Sequence, residues 1–195
     1  MKQKFVVIGI VIGVLISALL FVATGKDANT QGIENEQADA APVEIALSDK
    51  LDGVTNNYCF DIAGGNKDID VSKGLQAHTC YSYRGSLGAD QIFDASEFIN
   101  NKLYMPEFDV CASLDGLEAG SKVGLSPCDD SDLQALIFGE DGRISPVAAS
   151  DMCLTAAKDT RFGRSKQHQI KALTLEACSE ELSSFQTWRA RIEQD

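Results

Sequence analysis

Six cysteines carry the most explicit chemistry in this chain of 195 residues: Cys59, Cys80, Cys111, Cys128, Cys153 and Cys178. An even set reads as a disulfide framework in an exported protein. Zinc ligation by thiolates is disfavoured, because no two cysteines stand at the short C-x₂₋₄-C spacing and only His78 and His168 could complete a site. No nucleophile elbow and no H-E-x-x-H is present. His78 with Asp61 or Asp90 could form an acid–base pair, and two carboxylates could stand at glycosidase spacing. Nothing in the sequence ties these groups together, so no catalytic residue is assigned and no cofactor is expected. The formal net charge of −12 argues against nucleic acid, whose phosphates are bound by Lys and Arg. It argues equally against an anionic membrane surface as the main partner.

The elements that must position these residues begin with an export signal. Lys2 and Lys4 precede an uncharged run from Phe5 to Ala23. Its length of about 19 residues is near that needed to cross the ~30 Å hydrocarbon core as a helix and exceeds the usual signal-peptide core. It therefore reads as an uncleaved anchor in preference to a cleaved signal, with the leading lysines in the cytoplasm and the rest of the chain outside. Residues 26–53 are polar, mildly acidic and free of aromatics, and read as a linker. Within them, Val43 to Leu51 has some helical character that would let it dock on the domain beyond. That domain spans residues 54–195.

The domain is built on a repeat. Tyr58-Cys59-Phe60-Asp61, Val110-Cys111-Ala112-Ser113 and Met152-Cys153-Leu154-Thr155 align on their cysteines. A second cysteine follows 17 to 25 residues later in each, at the end of an alternating run: Leu75 to Cys80, Val123 to Cys128 and Leu173 to Cys178. A third landmark comes next, as Gln91-Ile92-Phe93, Gln134-Ala135-Leu136 and Gln186-Thr187-Trp188. Short strands and polar turns recurring in this order predict an all-β fold with threefold pseudosymmetry. One repeat cannot bury its own apolar face, so Phe93, Leu136 and Trp188 are expected to meet near the common axis. The Gln two residues earlier can satisfy backbone groups of a turn. The period supports the pairing Cys59–Cys80, Cys111–Cys128 and Cys153–Cys178, each bond worth about 3 kcal/mol in the chain-entropy model.

These landmarks resemble the ricin B-type lectins, β-trefoils with a C-L-D-like start, a second cysteine and a Q-x-W motif in each repeat. The resemblance covers about Val54 to Asp195; Gln186-x-Trp188 matches in full, while Phe93 and Leu136 replace tryptophan in the other copies. It implies a carbohydrate-binding, non-catalytic module displayed outside the cytoplasmic membrane. A sugar site needs carboxylate or amide groups for hydroxyls and a flat ring for the C–H face. The resemblance assigns these roles in the first repeat to Asp61, Gln76 and His78, with Asp90 and Gln91 beside them. The matching positions are Ser113, Gly124, Ser126 and Leu133 in the second repeat and Thr155, Thr174, Glu176 and Phe185 in the third, which could not hold a sugar in the usual way.

Asp90 departs from the family, where Asn is frequent. Two carboxylates at one site could repel and raise a pKa, bind a cation such as Ca²⁺, or mark an amino-bearing ligand; the sequence leaves these open. Tyr58, Tyr81, Tyr83 and Arg84 are close enough in sequence to rim the site. The stretch Ser96 to Met105 reads as an elaborated loop. The alternative function is a non-catalytic scaffold with decayed sugar sites, serving contact with a separate protein partner.

Overall fold

Short segments of two to nine residues, in which apolar residues are interspersed with polar ones, form the strands of a computed structural model that describes residues 41–64, 69–81 and 88–192. All lie within one compact unit, residues 37–195. The expected anchor, residues 1–25, and the first part of the expected linker lie outside the described residues. Among the described residues, no helix is long and apolar enough to cross a membrane.

The first repeat supplies β1 (Pro42–Leu47), β2 (Tyr58–Ile62), β3 (Leu75–Thr79) and β4 (Ile92–Asp94). The second supplies β5 (Tyr104–Met105), β6 (Val110–Leu114), β7 (Val123–Ser126) and β8 (Leu136–Phe138). The third supplies β9 (Ile144–Pro146), β10 (Met152–Ala156), β11 (Arg161–Phe162), β12 (Gln169–Ala177) and β13 (Trp188–Arg191). In every repeat the middle strands form an antiparallel hairpin: β2 with β3, β6 with β7, and β10 with β12. Outer strands join the repeats, β1 pairing with β13 and β8 with β9, while β1 also pairs with β4 within the first repeat. This is the threefold, all-β trefoil plan, with β11 as an addition to the third repeat.

Local chemistry repeats with the strands. Asn57 and Asp109 each stand two residues before the first cysteine of a repeat and adopt left-handed backbone, φ 65° and 52°. Asn and Asp tolerate this region better than other side chains. All three disulfides pair as the period predicts: Cys59–Cys80, Cys111–Cys128 and Cys153–Cys178. Phe93, Leu136 and Trp188 are buried in a single apolar cluster. Phe60 links two of them edge-on, with ring centroids 6.1 Å from Phe93 and 4.5 Å from Trp188. The Trp188 indole N–H is satisfied by the Leu154 carbonyl at 2.9 Å.

Two expectations are corrected. Val43 to Leu51 does not form a helix: its first part is β1, which lies inside the stretch read as linker and pairs with β2, β4 and β13. Val43 through Leu47 are all buried, because partners cover both faces of the strand. The sequence therefore lacks the alternation by which a strand with one wet face is recognised. Ser96 to Met105 is no single elaborated loop either. Its first half is a 3₁₀ helix, Ala95–Asn100, started by the Asp94 carboxylate accepting from the Ser96 N–H at 2.9 Å. Its end is β5, the opening strand of the second repeat.

β1 and β13 close the molecule by joining the two ends of the described chain, Glu44 opposite Arg191 through Leu47 opposite Trp188. Glu44 is fully buried, and both Nε and Nη2 of Arg191 lie 2.8 Å from its Oε2. Breaking a buried ion pair by removing one partner strips the remaining charge of its compensation. Arg191→Met is therefore expected to lower stability by about 3 kcal/mol or more, read as the urea midpoint of the oxidised protein. A loss below about 1 kcal/mol, the range of exposed pairs, would contradict this role.

Candidate functional site

The hairpin β2–β3 brings the first-repeat residues together through its register. Asp61 stands directly opposite Gln76, and Cys59 opposite His78. Alternation along the strands turns Asp61, Gln76 and His78 to one face, while Phe60 and Ala77 enter the core. A 3₁₀ turn, Ala89–Gln91, sets Asp90 and Gln91 beside Asp61. Asp61, Gln76, Asp90 and Gln91 are thus brought together, His78 follows on the same face of β3, and all five are buried.

Gln91 has a structural task that recurs in every repeat. Its Oε1 accepts from the backbone N–H of Tyr81, the residue after the second cysteine, at 2.8 Å. Gln134 and Gln186 accept likewise from the N–H groups of Asp129 at 2.8 Å and Ser179 at 3.0 Å. The same amides donate to the carbonyl of the residue before that cysteine: Gln134 to Pro127 at 3.0 Å, Gln186 to Ala177 at 2.9 Å, and Gln91 to Thr79 at a long 3.5 Å. The remaining N–H capacity differs among repeats. It goes from Gln91 to Asp61 Oδ2 at 3.0 Å, from Gln134 to Ser126 at 2.7 Å, and from Gln186 to Thr155 at 2.9 Å.

Asp61 is thereby framed by two amides, since Gln76 donates to its Oδ1 at 2.7 Å. Gln76 is oriented in turn by Arg161, whose Nη2 donates to its Oε1 at 2.7 Å. Burial, then the neighbouring Asp90 carboxylate, pushes the Asp61 pKa up to about 8 against the two amide bonds. Burial likewise lifts Asp90 to about 6. Asp90 Oδ1 is buried with no hydrogen-bond partner among the described residues, which is uncommon for a native polar atom.

His78 is not an open stacking platform. Its Nδ1 lies 2.8 Å from the Thr79 carbonyl and must donate there, because a carbonyl only accepts. Burial lowers its pKa, so the neutral ring is favoured. Its ring lies 5.0 Å from that of Tyr81 and 5.7 Å from that of His168. Tyr81 does adjoin the site, and burial followed by the charges of Asp61 and Asp90 raises its pKa. Tyr58 lies away from it, fully buried, its hydroxyl 2.7 Å from Asp52 Oδ2 and 2.8 Å from Gln169 Oε1. Tyr83 and Arg84 lie outside the described residues.

The cover over this face comes from the third repeat. β12 is nine residues long and pairs twice: Leu173–Ala177 with β10, and Ile170–Ala172 with His78–Gln76 of β3. The added strand β11 rides on β12 and delivers Arg161. Arg161 and His168 were missed by sequence reasoning. They stand 85 and 90 positions from Gln76 and His78 along the chain, in an insertion with no counterpart in the other repeats, and no motif marks them.

No protein-family model matches the chain, and no curated protein matches it. Solved structures do. The chain is similar to the mdaA-1 domain, with 12% identity and TM-score 0.54 over 78% of this chain and 90% of that one. It is similar to a non-toxic homologue of type II RIPs from Momordica charantia, solved in complex with α-methyl-D-galactoside, with 15% identity, TM-score 0.50, and 77% and 48% covered. The agglutinin from Abrus precatorius also matches, with 14% identity, TM-score 0.49, and 77% and 46% covered. The all-β fold is shared. Identities this low carry the fold alone, and the chain spans less than half the length of the Abrus and Momordica chains.

The raised carboxyls give a pH signature. A carboxyl whose folded pKa lies above its unfolded value stabilises the fold below the unfolded pKa and loses that contribution as pH rises. Stability should therefore fall from pH 3.8 up to about 8 through Asp61, with the Asp90 contribution gone by about 6. Urea midpoints for the oxidised protein between pH 6 and pH 9 check this, and Asp61→Asn should flatten the decline. A flat or rising profile in the unsubstituted protein would contradict the buried, raised carboxyl.

Proposed function

We propose that this protein is a non-catalytic carbohydrate-binding module with one site, in the first repeat, built on Asp61, Gln76, His78 and Asp90 with Gln91 positioning Asp61. The observation that carries this reading is a buried carboxyl, Asp61, framed by two amides. Thr155 occupies the place of Asp61 in the third repeat, and its hydroxyl accepts the same bond from Gln186 that Asp61 accepts from Gln91. A hydroxyl thus meets the structural need without a raised pKa. A carboxyl there instead, beside an Asp90 Oδ1 with no partner among the described residues, supports a partner with hydroxyl or amino hydrogens to donate. Sugar binding also accords with the fold, since the Momordica structure holds a galactoside. The apolar run Phe5 to Ala23 and the three disulfides support display outside the cytoplasm, held at the membrane by the N-terminal segment.

A second reading has its own observation. Asp61 is only 1% exposed and both its oxygens are engaged, which favours a scaffold whose sugar sites have decayed and which contacts another protein. One experiment separates the two. The full oxidised chain, retaining β1, is screened on a glycan array beside Asp61→Ala. Binding to a defined sugar class that disappears in the variant is the expected result. Absence of binding by a folded sample would favour the scaffold.

A further inference from the structure

A cleft of about 660 Å³ opens on the edge of the first repeat, sharing Tyr81 with the surroundings of the buried carboxyls, and is within the size range of small-ligand sites. Asp61, Gln76, Asp90 and Gln91 do not line it. One wall is the turn at 53–56 that precedes β2; the end of β3 forms the floor, with Thr79, Cys80 and Tyr81; the other wall is the hairpin tip, Lys166 to Gln169. The tip is fixed in place. The Thr79 hydroxyl donates to the Gln167 carbonyl at 3.0 Å, and within the tip the His168 N–H donates to the Ser165 carbonyl at 3.1 Å. Gly163 packs so closely that a Cβ there would stand 3.2 Å from the His168 Cβ.

The lining has two characters. Tyr81 and His168 offer rings, and Asn56 and Gln167 offer amides, a combination that suits a hydroxylated ring with an apolar face. The charge is basic. Lys166 is in the wall, and residues 158–171 carry five Lys or Arg (Lys158, Arg161, Arg164, Lys166, Lys171) against one acid, Asp159, in a chain of net charge −12. The nearby Asp52 is held by Lys171 Nζ at 2.8 Å. Arg164 is near enough to act on the Tyr81 hydroxyl.

We propose that this cleft is a second binding site, for an acidic saccharide, with Lys166 meeting the carboxylate or sulfate and Tyr81 and His168 packing against the sugar ring. The site does not depend on the Asp61 reading. It takes a ligand of opposite electrostatic preference on different residues.

The test is calorimetric titration of the full oxidised chain with oligogalacturonate, a sulfated oligosaccharide, a neutral galacto-oligosaccharide and polyglutamate. At least one acidic saccharide is expected to bind about ten-fold tighter than the neutral one and than polyglutamate. That binding should weaken between about 0.05 M and 0.5 M salt. Lys166→Glu, an exposed change, should weaken it about ten-fold or more, while Asp61→Asn leaves it unchanged. The choice between carboxylate and sulfate is read from which acidic ligand binds. Equal binding of polyglutamate would overturn the saccharide assignment. Equal binding of the neutral sugar, an unchanged affinity in Lys166→Glu, or no binding of either acidic saccharide would overturn the site. Loss of binding in Asp61→Asn would place the ligand at the first site instead.

Discussion

The turn after each second cysteine leaves a backbone N–H and a carbonyl facing inward, and a buried glutamine amide answers both. Unpaired backbone groups shut off from water cost about 1–3 kcal/mol each, and in each repeat the amide meets this need at a turn whose own residues range from the buried Cys80 to the exposed Pro127 and Asp129. This requirement explains why Gln91, Gln134 and Gln186 are fully buried and why each stands two residues before the core residue that its strand carries inward. It also shows how one structural device takes on a different partner in each repeat. The amide has a further N–H to place, and what receives it distinguishes the repeats: a serine, a threonine, or in the first repeat a carboxyl.

The first repeat differs from the others in surroundings as well as in that carboxyl. In a strict threefold molecule β3 would end its sheet. Here β12 of the third repeat runs past its own hairpin and adds itself to β3, bringing Arg161 to Gln76 and His168 to His78. The same extension buries the first-repeat face and builds the basic wall of the neighbouring cleft. A buried, uncharged-leaning carboxyl and an exposed cationic tip therefore come from one departure from symmetry.

Much of this was legible in the sequence, because the landmarks answer local needs that recur. Cysteine pairing, the glutamine and the core residue after it must appear in every repeat, so their order revealed the threefold fold and the convergence of Asp61, Gln76, His78, Asp90 and Gln91. β1 was not legible. Pro42–Leu47 has no cysteine or glutamine landmark, and it is buried on both faces, so its alternation is erased; the buried Glu44 within it is paired with Arg191, which arrives from 147 residues away. His78 was read as a flat surface for a sugar, but its ring is enclosed by Tyr81 and His168, and the second of these comes from an insertion that no repeat could foretell.

The protein's net negative charge and its basic hairpin set apart the two proposed sites, and the first of them rests on the state of one carboxyl. Titration of the Asp61 side chain by ¹³C NMR, assigned with Asp61→Asn, reads that state directly. A pKa near 8, as burial and Asp90 require, would establish a carboxyl held in the amide frame at a cost to folding. A value at the ordinary carboxylate level of about 4 would contradict a carboxyl held neutral by burial and by Asp90.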